Sequence, residues 1–173
     1  METLFRLTPV PATRPIGRLN GAAYFSSMED NNEIGSGSNG KTPASDLNVV
    51  LVEDSILMRA HVAASLSEIK GVAAVRQAED VPSGLRLLET VTPDVLILDI
   101  ELPGRTGLDL LKTVRKRDAA VVIIMLTNHD QPRLRQRCAE LGANYFFNKL
   151  NEFGRVAEVC RELAERRARQ AGS

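Results

Sequence analysis

Side chains that could bind a cation or transfer a group follow closely after apolar segments of the chain. They are Glu53 and Asp54 after 49–52, Asp99 after 95–98, Thr127 after 121–126 and Lys149 after 145–147. In open α/β sheets ligands bind at the carboxyl ends of the strands, so these side chains meet if the segments are neighbouring parallel strands. Three carboxylates in one small site repel one another, and a hard divalent cation such as Mg²⁺ removes that repulsion. Glu53, Asp54 and Asp99 are therefore candidate Mg²⁺ ligands.

Carboxylates around a cation, with a lysine and a hydroxyl opposite, are suited to phosphoryl transfer, which needs positioning and positive charge around the phosphoryl oxygens. Asp99 is the best candidate nucleophile, because carboxylates form aspartyl phosphates. Thr127 would donate a hydrogen bond to one phosphoryl oxygen and Lys149 would pair with another. Each residue alone also has an ordinary interpretation, such as a helix N-cap for Asp54. Their joint position at one sheet edge favours the chemical interpretation.

The elements that must position these residues alternate regularly along the chain. We predict strands at 49–52, 72–78, 95–98, 121–126 and 145–147. The first helix is predicted to end near Lys70, and the other four are predicted at 81–91, 106–116, 132–141 and 152–169. Continuous apolar runs indicate strands that are covered on both faces. Five strand–helix units in about 120 residues predict an α/β protein with an open, doubly wound, five-stranded parallel sheet.

The first part of the chain has a different composition. Residues 1–46 are rich in Pro, Gly, Ser and Asn, so we predict a flexible extension there, a folded domain at 47–168 and a tail at 169–173. Residues 35–42 satisfy the phosphate-loop pattern GxxxxGK[ST]. No strand precedes them and Pro43 follows, so we interpret this match as fortuitous. A subsidiary hypothesis is that Met28 is the true start.

Composition excludes several classes of protein. The 22 Lys and Arg residues balance the 22 Asp and Glu residues, so the chain lacks the positive field that drives non-specific nucleic-acid binding. No apolar segment approaches the ~20 residues of a membrane span, and no secretory signal is present. Cys138 and Cys160 lie among apolar residues and are predicted to be buried free thiols. We therefore expect a cytoplasmic protein that binds neither nucleic acid nor membrane.

Residues 47–168 resemble the receiver domain of two-component response regulators. The matching segments are VVLVEDS at 49–55, DVLILDIELPGRTG at 94–107, IIMLT at 123–127 and GANYFFNK at 142–149. The spacing of Asp99, Pro103 and Gly107 is the most specific part. The resemblance implies a flavodoxin-like (βα)5 fold with strand order 2-1-3-4-5.

The resemblance also implies a function. Asp99 would accept a phosphoryl group from a histidine kinase or a histidine phosphotransfer protein. Mg²⁺ would be held by the side chains of three residues and the backbone carbonyl of a fourth, namely Glu53, Asp54, Asp99 and Glu101. Thr127 and Phe146 correspond to the paired switch residues that alter contacts with an unknown downstream protein. On the first helix, the residues expected to face the kinase are Leu57, Met58 and His61, although Met58 fits the core equally well.

Two departures from the family pattern limit this resemblance. The family usually has a proline with a cis bond after the active-site lysine, whereas Leu150 follows Lys149 here. A cis bond without proline costs roughly 2.5–4 kcal/mol, so we predict a trans bond. We expect no output domain after residue 168 and therefore predict a stand-alone receiver whose only catalysis is its own phosphorylation and dephosphorylation. Its role could be that of a relay, a phosphate sink or a regulator of a partner.

Two other hypotheses belong to different functional classes. The first is an interaction module of receiver fold that works without phosphorylation, against which the intact acidic set and Lys149 count. The second is a phosphatase of the haloacid-dehalogenase type, which also uses an aspartate nucleophile. That class needs a second aspartate two residues later, where this chain has Glu101.

Overall fold

The computed structural model describes residues 46–171, and in them five parallel strands alternate with five helices. The strands are β1 (Leu47–Val52), β2 (Val72–Ala78), β3 (Val95–Leu98), β4 (Val122–Thr127) and β5 (Tyr145–Asn148). The helices are α1 (Ile56–Ser67), α2 (Val81–Thr90), α3 (Gly107–Arg117), α4 (Pro132–Glu140) and α5 (Gly154–Ala171). The strand order is β2-β1-β3-β4-β5, and every neighbouring pair is parallel. The predicted fold and strand order are confirmed.

Both faces of the sheet are buried, as the continuous apolar strands predicted. All residues of β3 and β4 are buried. Alternate side chains of β1 point to opposite sides: Val49 and Leu51 pack with α1 and α5, whereas Val50 and Val52 pack in the cluster that includes α3 residues. Two hydrophobic layers therefore fix the sheet, so the ends of its strands are held in register. Within residues 46–171, no helix combines the length and the apolar character that a membrane crossing requires.

Element boundaries differ from the prediction mainly at helix ends. Helix α1 ends at Ser67, before the predicted Lys70, and Gly71 turns the chain into β2 with a φ of 89°. Helix α5 continues to Ala171, so the predicted end of the domain at 168 and the tail from 169 fall inside a helix. The predictions for residues 1–45, including the phosphate-loop match and the Met28 start, lie outside the described residues.

The two cysteines are buried and free, as predicted. Burial raises the pKa of the Cys138 thiol to about 11 and that of the Cys160 thiol to about 12. Because the thiolate is the reactive form, both thiols are expected to be inert while the domain is folded.

The amino ends of β4 and β5 are joined by a side chain of α3. The guanidinium of Arg115 donates to the carbonyl oxygens of Gly142 at 2.7 and 3.0 Å and of Val121 at 2.9 Å. It also donates to Asn144 Oδ1 at 2.9 Å, and that oxygen accepts from the backbone N–H of Ile123. This network stabilises the sheet at the edge opposite to the predicted site.

Candidate functional site

The predicted site residues lie together at the carboxyl edge of the sheet. Strands β1 and β3 are neighbours, with Val52 paired to Leu98, so Glu53 and Asp99 follow at the same level. One carboxylate oxygen from each of Glu53, Asp54 and Asp99 lies within 4.8 Å of the other two. The prediction of this site required the strands before Glu53 and Asp99 to be parallel neighbours, and β1 and β3 are.

Asp54 is exposed, and it does not cap the following helix. The N-cap of α1 is Ser55, whose side chain accepts from the backbone N–H of Met58. The ordinary interpretation of Asp54 as an N-cap is therefore wrong, and its carboxylate remains available to the acidic cluster.

Lys149 reaches the same cluster from the end of β5. Its Nζ lies 2.7 Å from Glu53 Oε2 and 2.7 Å from Asp99 Oδ2, and only 5% of its side chain is exposed. Burial by itself would lower the pKa of the Lys149 amine, but hydrogen bonds and charges of Asp99 and Glu53 outweigh burial and raise it. Burial raises the pKa of the Glu53 carboxyl, and Lys149 opposes that change. The ammonium is thus protonated at neutral pH and shared by two buried carboxylates.

The donor set fits a hard divalent cation. With all groups ionised, three carboxylates and one ammonium give the pocket a charge of −3 + 1 = −2. Mg²⁺ prefers oxygen ligands and is bound through one or two carboxylates plus waters and phosphate oxygens. The backbone of Glu101 lies beside Asp99, since its N–H donates to Asp99 Oδ1 at 3.1 Å. The Glu101 side chain instead contacts His129 Nε2 at 2.7 Å.

The predicted switch residues lie on β4 and β5, next to this pocket. Thr127 is the last residue of β4 and is buried, and its Oγ1 accepts from the backbone N–H of His129 at 3.2 Å. Phe146 is fully buried, and the guanidinium of Arg135 lies 4.6 Å from its ring centroid. Arg135 also donates to the carbonyl oxygen of Phe146 at 3.2 Å. The ring is therefore packed inward and covered by a cation from α4.

The spacing of Asp99 and Gly107 has a steric cause. Gly107 is the first residue of α3, and its N–H donates to the carbonyl oxygen of Ile100 at 3.0 Å. A Cβ on Gly107 would lie 1.9 Å from the carbonyl oxygen of Asp99. Any side chain there must displace the backbone that carries the candidate nucleophile, so only glycine fits.

Comparison with known proteins identifies this arrangement. The family model of the response regulator receiver domain matches residues 49–161, which is more than half of the chain. The chain belongs to the response regulator receiver family. Receiver domains are phosphoacceptor domains of two-component systems, and they bind Mg²⁺ at an acidic pocket. Membership favours this class over the phosphatase hypothesis.

Relatives of this receiver occur in several larger proteins. A protein-glutamate methylesterase/protein-glutamine glutaminase of Treponema pallidum is 35% identical over 125 residues, which are 69% of this chain and 31% of that protein. Response regulator UvrY of Escherichia coli K12 is 33% identical over 103 residues, 60% of this chain and 47% of UvrY. The chain thus spans about a third to a half of the length of these relatives.

Solved structures agree with the fold. Chemotaxis response regulator CheY4 of Vibrio cholerae matches with a TM-score of 0.61 and 27% identity, over 68% of this chain and 98% of that chain. The receiver domain of a NarL response regulator from Mycobacterium tuberculosis matches with a TM-score of 0.63 and 27% identity, over 69% and 97%.

The receiver departs from the usual family pattern after Lys149, as the sequence indicated. No peptide bond in residues 46–171 is cis, so the predicted trans bond to Leu150 is confirmed. Leu150 is 79% exposed. The turn after β5 is therefore not shaped by a cis proline, and other groups must hold its conformation.

The three residues of α1 that were expected to face a kinase differ in exposure. Leu57 is 83% exposed, whereas Met58 is partly buried and packs against the core. The His61 ring is exposed and stacks on Phe153, with ring centroids 4.6 Å apart. This contact joins α1 to the turn after β5. Met58 thus contributes to the core, and Leu57 and His61 are accessible.

Three further side chains support the site, although no role was predicted for them. Arg59 donates to the carbonyl oxygens of Glu53 at 2.6 Å and Asp54 at 3.2 Å, which holds the loop after β1. Arg135 covers Phe146, and Asn148 forms the turn around Lys149. Asn is a common turn former, so its place directly after an apolar strand was an available signal for Asn148. The two arginines gave none.

Substitution of Gly107 by alanine should lower the free energy of unfolding by roughly 2–4 kcal/mol, because the new methyl group meets backbone that has to move. The matched control is Gly154→Ala, also at the first residue of a helix, where a Cβ meets nothing within 4 Å. That variant should be neutral or slightly stabilised. Urea denaturation measures both, and equal stability of the two variants would contradict the steric explanation.

Replacing Lys149 by methionine leaves Glu53 and Asp99 buried without their cation. We expect the free energy of unfolding in metal-free buffer to fall by about 3–5 kcal/mol, as for other broken buried ion pairs, and added Mg²⁺ to recover part of the loss. Lys116→Met, on the exposed face of α3, should change stability by less than about 0.5 kcal/mol. Unchanged stability of Lys149→Met without divalent cations would refute the shared ion pair.

Proposed function

We propose that this receiver accepts a phosphoryl group on Asp99 from a histidine kinase or a histidine phosphotransfer protein, with Mg²⁺ required, and thereby switches protein contacts in a phosphorelay. The observation that supports this most is the buried Lys149 ammonium, 2.7 Å from both Asp99 and Glu53. It holds a cation beside the carboxylate that must receive an anionic group. Without such a cation, the approach of a phosphoryl group to this acidic pocket would be repelled.

The proposed step is an exchange of one bond for another. A carboxylate oxygen of Asp99 attacks phosphorus, and the bond from phosphorus to the donor imidazole nitrogen breaks as the acyl phosphate forms. The released imidazole takes up a proton from solvent. Lys149 would pair with one phosphoryl oxygen, and the Thr127 hydroxyl would donate a hydrogen bond to another.

Glu53, Asp54 and Asp99 are the proposed ligands of Mg²⁺, together with the backbone carbonyl of Glu101. When bound, Mg²⁺ supplies positive charge that offsets the charge on the phosphoryl oxygens. The chain's own contribution is to hold the ligands in place. Arg59 does so by binding the carbonyl oxygens of Glu53 and Asp54.

Phosphorylation would be communicated through Thr127 and Phe146. In the unphosphorylated chain, Thr127 Oγ1 is engaged with the backbone of His129. Movement of Thr127 towards a phosphoryl group would break this contact and free the loop that leads to α4. Arg135 links that helix to the carbonyl of Phe146 and to Asp130 at 2.9 Å. The surface of α4, β5 and α5 would then change its affinity for a downstream protein.

An exposed apolar patch next to the pocket supports contact with a protein donor. Ile56, Leu57 and Leu150 are 72%, 83% and 79% exposed, and they follow β1 and β5 at the carboxyl edge of the sheet. The stacking of His61 on Phe153 brings these two segments together. A donor that delivers a phosphoryl group to Asp99 must approach this edge. We propose that it covers these side chains.

Incubation with acetyl phosphate and Mg²⁺ should add one phosphoryl group to the wild-type chain and none to Asp99→Ala, as measured by intact-protein mass spectrometry. Omission of Mg²⁺ should abolish the mass gain. Asp109→Ala, which removes an exposed carboxylate of α3, serves as the control and should label like the wild type. If Asp99→Ala were labelled to the same extent as the wild type, Asp99 could not be the phosphoacceptor. A wild-type chain that is never labelled would favour an interaction module that works without phosphorylation.

A further inference from the structure

The turn that carries Lys149 is built around one side chain, that of Asn148. We propose that Asn148 is a positioning residue for phosphoryl transfer, because it fixes the turn so that the Lys149 ammonium stays between Asp99 and Glu53. This inference rests on the proposed function for its chemical consequence. Its structural part, the fixed position of Lys149, can be tested separately.

The side chain of Asn148 closes the turn from inside. Its Oδ1 accepts from the backbone N–H of Leu150 at 2.9 Å and of Asn151 at 3.3 Å. Its Nδ2 donates to the carbonyl oxygen of Asn128 at 3.4 Å, which ties the turn to the loop after β4. An Asn side chain that binds backbone N–H groups two residues later is a recognised turn former. Because Asn148 is only 7% exposed, water does not readily replace these bonds.

The backbone of Asn148 is held as well. Its N–H donates to Glu152 Oε2 at 3.0 Å, and its carbonyl oxygen accepts from the Glu152 N–H at 2.9 Å. The N–H of Lys149 itself donates to the carbonyl oxygen of Thr127 at 2.9 Å. Hydrogen bonds therefore hold the backbone on both sides of Lys149, and most of them are made by Asn148.

Fixing this backbone matters because a lysine side chain is long and flexible. Its rotamer entropy opposes any single position, and the ammonium reaches both carboxylates only if its Cα stays where the turn places it. A small displacement of a charged group at a reacting centre can cost up to about 100-fold in rate. Loss of the Asn148 side chain should let Lys149 leave the pocket while the hydrophobic layers stay intact.

Acylation of lysines with an N-hydroxysuccinimide ester, read by peptide mass spectrometry, tests the position of Lys149 without any phosphoryl donor. We expect Asn148→Ala to raise the labelling rate of Lys149 at least about 5-fold through local opening, while the buried thiols of Cys138 and Cys160 remain unreactive. Asn148→Ser keeps an oxygen that accepts the same N–H groups more weakly, and its Lys149 should be labelled at an intermediate rate.

The matched control is Asn144→Ala, which removes another buried asparagine, the one directly before β5. It should lower the urea midpoint of unfolding through loss of the Arg115 network and leave Lys149 protected. Equal protection of Lys149 in Asn148→Ala and the wild type would overturn the proposal. So would exposure of the two cysteine thiols in Asn148→Ala, which would indicate general unfolding, or a Lys149 labelling rate in Asn148→Ser as high as in Asn148→Ala.

The chemical part is tested with acetyl phosphate and Mg²⁺ on the same proteins. The rate of phosphorylation of Asp99 should fall roughly 10- to 100-fold in Asn148→Ala, partly recover in Asn148→Ser and stay at the wild-type level in Asn144→Ala. An unchanged rate in Asn148→Ala, with the wild type labelled, would refute the positioning role alone. A wild type that is not labelled would refute the proposed function, and Lys149 acylation would then decide the structural role of Asn148 by itself.

Discussion

The site depends on one buried ammonium that is shared by two buried carboxylates. Lys149 Nζ offsets one of three negative charges that the sheet brings together, and the pocket retains a charge of −2 when all its groups are ionised. Such a pocket is stable only if something else neutralises it or if water reaches it, because unpaired buried charge is costly. Of the three carboxylates, Asp54 is exposed, so one member of the cluster is in contact with solvent. The excess negative charge by itself destabilises the pocket. It also favours binding of a divalent cation, and the bound cation then favours an anionic group.

The fold supplies the precision that this arrangement needs. Two hydrophobic layers pack against opposite faces of one sheet and fix the register of β1, β3, β4 and β5. The chemistry then lies just beyond the ends of these strands, where the backbone is still held by the sheet. The packing at Gly107 is especially close, since the first residue of α3 lies against the backbone carbonyl of Asp99. A loop with more freedom could not keep the Lys149 ammonium in contact with both Glu53 and Asp99 beside a third carboxylate.

Much of this could be predicted from the sequence because the determining signals are local. The apolar run at 95–98 followed by Asp99, and its counterpart before Glu53, define buried strands and the residues at their ends. What could not be predicted depends on tertiary contacts. Arg59 and Arg135 are ordinary helix arginines until the fold brings carbonyl oxygens to them. The end of α5 was predicted to within two residues, near Arg169, although its buried apolar stripe stops at Ala164 and polar residues continue the helix to Ala171. Asn148 could be predicted only in part. Its residue type and position indicate a turn, but they do not show that the turn positions Lys149.

Paramagnetic Mn²⁺, which also prefers carboxylate ligands, gives the most direct test of the acidic pocket as the centre of this receiver. In amide proton–nitrogen spectra, substoichiometric Mn²⁺ should first broaden the signals of Glu53, Asp54 and Asp99, and excess Mg²⁺ should restore them. Broadening that begins elsewhere on the domain, or broadening of these signals that Mg²⁺ does not reverse, would contradict the assignment of this pocket as a Mg²⁺ site beside a phosphoacceptor.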